Sequence, residues 1–108
     1  MIRILVFAMA VFAWALPASA DTFTSEKFLT WSRESQTSYF RSSVGMAGII
    51  VAQLDSDKAK CITGWYADQD RTGHPALFAA LRNYPDFHPQ VMILWAIQKE
   101  CGKFLASR

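Results

Sequence analysis

Cysteine and histidine are scarce in this chain: Cys61, Cys101, His74 and His88 are the only ones in 108 residues. A metal site built from such ligands needs more of them at short spacing. The Cys-x-x-Cys spacing of a catalytic redox pair is missing, as is a glycine-rich loop able to cradle phosphate. Serines are frequent between Ser25 and Ser43, yet none sits in a Gly-x-Ser-x-Gly elbow. The alternating oxygen ligands of a calcium loop are absent too. Neither sign of charge dominates, with 11 Lys and Arg against 9 Asp and Glu. The signs are interspersed, which argues against the basic stripe of a nucleic-acid binder and against a polybasic patch for anionic membranes. Nor is any apolar run long enough to span a bilayer, which takes roughly 20 residues.

The longest apolar run is instead informative by its shortness. Arg3 precedes an apolar stretch at residues 4–16, and Pro17-Ala18-Ser19-Ala20 follows. A positive start, a short apolar segment and an Ala-x-Ala end are the parts of a cleavable secretory signal. Pro17 ends the apolar helix just before the cut expected after Ala20. Residues 1–20 are thus expected to be removed, leaving residues 21–108 as one small exported domain near charge +1. In an oxidising compartment Cys61 and Cys101 are expected to pair.

The patterning of residues 21–108 reads as all-α: one small bundle of four or five helices. Apolar residues recur at helical spacing from Ser25 to about Ala52, capped by Thr24 or Ser25. A break near Arg41-Ser42-Ser43 leaves one long or two joined helices open. The run at 44–52, VGMAGIIVA, could equally be a buried strand. Its Gly45 and Gly48 cost helix stability, about 1 kcal/mol each against alanine, and such glycines mark close helix packing or a dimer contact. Ser56 or Asp57 should cap a helix through Cys61 that Gly64 shortens. Residues 67–74 read as a polar loop, residues 75–83 as a helix opened by Pro75. Residues 84–89 form a proline corner. The last helix, about 90–104, carries Ile93, Ile97 and Cys101 on its inner face.

Catalytic constellations are thin. His74 and His88 each precede a proline and read as turn or capping residues. Asp68 and Asp70 read as solvated loop charges, because acid–base work needs one of them buried with a raised pKa. No enzyme and no cofactor is expected. What stands out is aromatic: three Trp, three Tyr and six Phe follow residue 20. Most must fill the core. Two adjacent rings cannot both face inward, so one of Trp65 and Tyr66 is expected to be partly exposed; the pair either packs across the disulfide or, with Asp68 and Asp70, offers a protein-contact surface.

The order of parts adds a resemblance. "FLTW", "SVGMAGIIVA", "CITGWY" and "LRNYPDFHPQVMILWAIQKECG" follow a signal peptide, with the proline corner leading into a helix that ends in cysteine. This resembles the Rap/Tai immunity proteins of type VI secretion systems, whose helical fold is similar to the acid-stress chaperone HdeA. The resemblance implies a periplasmic, often dimeric protein that blocks a peptidoglycan-cleaving amidase by binding it. It carries over to Cys61, Cys101 and the small-residue helix around Gly45 and Gly48. The alternative it implies is an acid-stress chaperone.

Overall fold

The structure, a computed structural model, describes residues 22–104, and the expected signal segment lies outside the described residues. Five helices follow one another: α1 (Ser25–Phe28), α2 (Arg33–Ala52), α3 (Ser56–Thr72), α4 (Pro75–Asn83) and α5 (Pro89–Cys101). The fold is all-α, as the patterning predicts. Thr24 caps α1 by accepting from the Lys27 amide. The chain then breaks earlier than expected, at Leu29–Ser32, because Ser32 offers the Ser35 amide a cap and starts a new helix. No break follows at residues 41–43. Phe40, Val44, Ala47 and Val51 lie on one buried stripe of α2, and that burial outweighs the weak propensity of the three polar residues between. The 44–52 run is helix rather than strand.

Helix α3 departs most from the expectation. Asp55, not Ser56 or Asp57, is its cap, accepting from the Lys58 amide. It runs straight through Gly64 to Thr72, so residues 67–72 are helical rather than loop. Those last turns are held by side chains: Arg71 pairs with Asp68, and the Thr72 hydroxyl donates to the Asp68 carbonyl. Gly73 ends the helix in the left-handed region at φ 90°, and His74 follows at φ 61°. Two successive left-handed residues reverse the chain tightly, and Pro75 opens α4 as expected. The last helix starts one residue earlier than expected, at Pro89, and stops at Cys101 before Gly102.

Phe28, Phe40, Val51, Ile62, Leu77, Leu81, Ile93 and Ile97 form the shared core. The short α1 is tied to the proline corner, where the Ser25 amide and hydroxyl both donate to the Phe87 carbonyl at 2.7 and 2.9 Å. Buried Gln36 donates to the Phe28 carbonyl, which also accepts from the Trp31 amide, so α2 is tied to the end of α1. Cys61 and Cys101 form the expected disulfide, with their Cα atoms 5.8 Å apart, linking α3 to the end of α5. Among the described residues no helix is long and apolar enough to cross a membrane.

Candidate functional site

The second half of α2 has more apolar residues than one buried stripe can use. Val44, Ala47 and Val51 face the core, while Met46, Ile49, Ile50 and, just past the helix, Leu54 face solvent. Ile49 is 63 % exposed and Leu54 73 %. A helix that is apolar all round belongs in an interior, and here half of its circumference has no cover.

Beside this ridge lies a groove between α2 and α3 of about 760 Å³. Val44 and Ile62 form its apolar floor, and Gly45, Gly48, Ala52, Ala59 and Gly64 leave its walls bare. The glycines do not serve close packing within the monomer, contrary to the first of the two sequence readings. A Cβ added at Gly45, Gly48 or Gly64 meets nothing within 4 Å. What their missing side chains do is keep the groove wide.

One end of the groove is closed by Arg41 and Tyr66. Arg41 reaches from α2 to Asp70 on α3, with Nε and Nη2 both 3.2–3.3 Å from the carboxylate. Behind them stands His74. It sits in the turn, as expected, yet is only 3 % exposed and packs on Phe40, with ring centroids 4.8 Å apart. Its side chain does not cap α4. That work falls to Gln69, whose Oε1 accepts from the Ala76 amide. His74 Nε2 lies 2.9 Å from the Tyr66 hydroxyl and 3.4 Å from Asp70 Oδ1. Burial pushes the Tyr66 phenol up to about 12, with the Asp70 charge adding to the effect. Burial also holds His74 below its ordinary value; Asp70 opposes this, and Arg41 and Arg33 reinforce it.

The Tyr66–His74–Asp70 cluster is not arranged as a proton relay. In such a relay the acid holds one imidazole nitrogen while the other nitrogen serves the nucleophile. Here Tyr66 and Asp70 crowd the same nitrogen, and the imidazole has no access to solvent. The cluster instead fixes α3, α4 and α2 to one another at the end of the groove.

The four predicted contact residues do not form one surface. Tyr66 and Asp70 belong to the groove end. Asp68 is exposed and, among the described residues, its carboxylate pairs only with Arg71 on its own helix. Trp65 faces the other way, into a notch of about 350 Å³ with Ala76, Ala79 and Trp95. Both rings of the pair are half-buried, each on a different side of α3. The exposed aromatics are Trp31, before α2, and a group about the proline corner, where Tyr84 packs on Phe87 and Trp95. His88, as expected, is a cap: its Nδ1 accepts from the Gln90 amide. The signal that would have found the groove was present in VGMAGIIVA, whose apolar residues are too many for one face. Against known protein families, curated proteins and solved structures, the chain finds no match.

Proposed function

We propose that this chain is an exported protein-binding domain that docks a partner protein on the outer face of α2 and the adjoining α2–α3 groove. The observation that carries the reading is the uncovered half of the 44–52 helix: the Met46, Ile49 and Ile50 ridge beside a groove widened by Gly45 and Gly48. Exposed contiguous apolar surface of this kind marks interaction sites in soluble proteins. The partner is a peptidoglycan-cleaving amidase, which the domain inhibits in the periplasm by covering its cleft. That identity rests on the resemblance to the Rap/Tai immunity proteins. An inhibitor of this sort needs no chemistry of its own, and the crowded His74 nitrogen supplies none.

The test is inhibition of a purified exported amidase, encoded beside the gene for this chain, acting on purified peptidoglycan. Stoichiometric inhibition by the wild-type domain is expected. Ile49→Glu and Gly48→Arg should abolish it while leaving the helical circular dichroism intact. Absence of inhibition by the wild type overturns the inhibitor reading. Inhibition that survives both variants but is lost in Val91→Glu moves the docking face to the proline corner. Sedimentation of a dimer that Ile49→Glu splits would assign the α2 face to a second copy instead.

Buried His74 favours a second reading, the acid-stress chaperone. Protonating an imidazole enclosed between α2, α3 and α4 loosens their junction, and the apolar ridge is already available to clients. Suppression of client aggregation only at acid pH, with no amidase inhibition, would decide for it.

A further inference from the structure

The first half of α2 is crowded with hydroxyls: Ser35, Thr37, Ser38, Ser42 and Ser43 follow the Ser32 cap. Serine competes with the helix for its backbone hydrogen bonds, so propensity does not account for this concentration. Two of the six are used in the cap, where the Ser35 amide donates to Ser32 Oγ and the two hydroxyls meet at 3.1 Å. Ser43 donates to Gln90 Oε1 at 2.9 Å. The hydroxyls of Ser38, Ser42 and Tyr39 and the carboxylate of Glu34 make no hydrogen bond among the described residues. All four line a single open groove of about 570 Å³, together with Trp31 and Gln90.

We propose that this groove binds a neutral saccharide. Trp31 supplies an apolar platform, 39 % exposed and held from behind. Its ring stacks on Phe23 at 5.2 Å and 19°, and Tyr39 meets its edge at 5.7 Å. A platform already fixed in place loses little freedom when a ligand settles on it. A pyranose ring matches this surface, having C–H bonds on its face and hydroxyls around its rim. Serine and tyrosine hydroxyls both donate and accept, as sugar hydroxyls do, and Glu34 accepts. Gln90 has its oxygen occupied by Ser43, which leaves its NH₂ group as the donor.

Competing ligands fit less well. Among the described residues Glu34 is the only charged one lining the groove, so phosphates and nucleotides would meet no cation there. A quaternary ammonium wants an open aromatic cage, and one face of Trp31 is taken by Phe23. Hydrolysis of a bound glycan needs a pair of carboxyl groups, and the groove has one. The site binds sugar and does not cleave it. It is separate from the α2–α3 groove, so its failure and that of the protein-docking reading are distinguishable.

The experiment is a titration of the purified protein with chitotetraose, cellotetraose and maltotetraose, followed by tryptophan fluorescence and calorimetry. Saturable binding of at least one of these sugars is expected. Ser38→Ala with Ser42→Ala should weaken it by about tenfold, the scale of one lost hydrogen-bonding pair of contacts, with the melting temperature no lower than that of the wild type. Trp31→Ala should remove it, whereas Ile49→Glu should leave it intact. The absence of saturable binding across the three sugars overturns the proposal. So does binding untouched by the serine double variant, or a response to choline alone.

Discussion

His74 occupies a position that few side chains tolerate, a left-handed backbone conformation with the ring enclosed among Phe40, Phe78 and Tyr66. Tyr66 and Asp70 face it from α3, and Arg41 and Arg33 act on it from α2. Because its folded pKa lies below the ordinary 6.5, the unfolded chain takes up the proton first on acidification. Stability from this residue is therefore complete above the unfolded value and is lost as pH falls from there through the folded one. Melting temperatures at pH 7.5 and 5 should show a drop for the wild type that His74→Asn reduces, asparagine being tolerant of the left-handed backbone. An equal drop in both proteins would place the acid sensitivity elsewhere. The sequence offered no hint of this burial. A histidine between glycine and proline reads as a turn, and only the packing of three helices turns it inward.

Helices were legible where local chemistry punctuates them. Residues 75–83 were readable to the residue, since Pro75 opens that helix and the corner at 84–89 closes it. The polar stretch after Tyr66 was not, because its helical turns are held by side-chain contacts that a loop-like composition does not announce, Arg71 with Asp68 and Thr72 with the Asp68 carbonyl, and Arg41 then reaches Asp70 from α2, 29 residues away. Helix α2 shows the same limit in reverse. VGMAGIIVA announced burial, and half of that burial is unfilled in the single chain. Of the site, the sequence disclosed the glycines but not their use. Gly45→Ala and Gly48→Ala place a methyl in open space on a helix. Each should stabilise the fold by about 0.5–1 kcal/mol in chemical denaturation, while weakening partner docking. Destabilisation by either would mean that the groove is narrower than described.

At the scale of the whole molecule, one covalent bond joins parts that packing alone would hold loosely. Cys61 near the start of α3 is tied to Cys101 at the end of α5, across 40 residues. Lys58 adds a hydrogen bond to the Lys103 carbonyl beside it. Closing that loop stabilises the fold by about 4 kcal/mol in the chain-entropy model, a large share for so small a domain. Urea unfolding of Cys61→Ser with Cys101→Ser should show a loss of that order, and added reductant should reproduce it in the wild type. A much smaller loss would mean that α3 and α5 are held by their apolar contacts.

Rings in van der Waals sequence connect the surface to the interior of this protein: Trp31 touches Tyr39 and Phe28, Phe28 touches Phe40, and Phe40 touches His74. The molecule thus carries its own optical gauge. In protein prepared as residues 21–108, which leaves out Trp14, with Trp65→Phe and Trp95→Phe silencing the other indoles, the emission of Trp31 would register a sugar arriving from outside. Loosening of the deep end by acid would reach the same lamp from within.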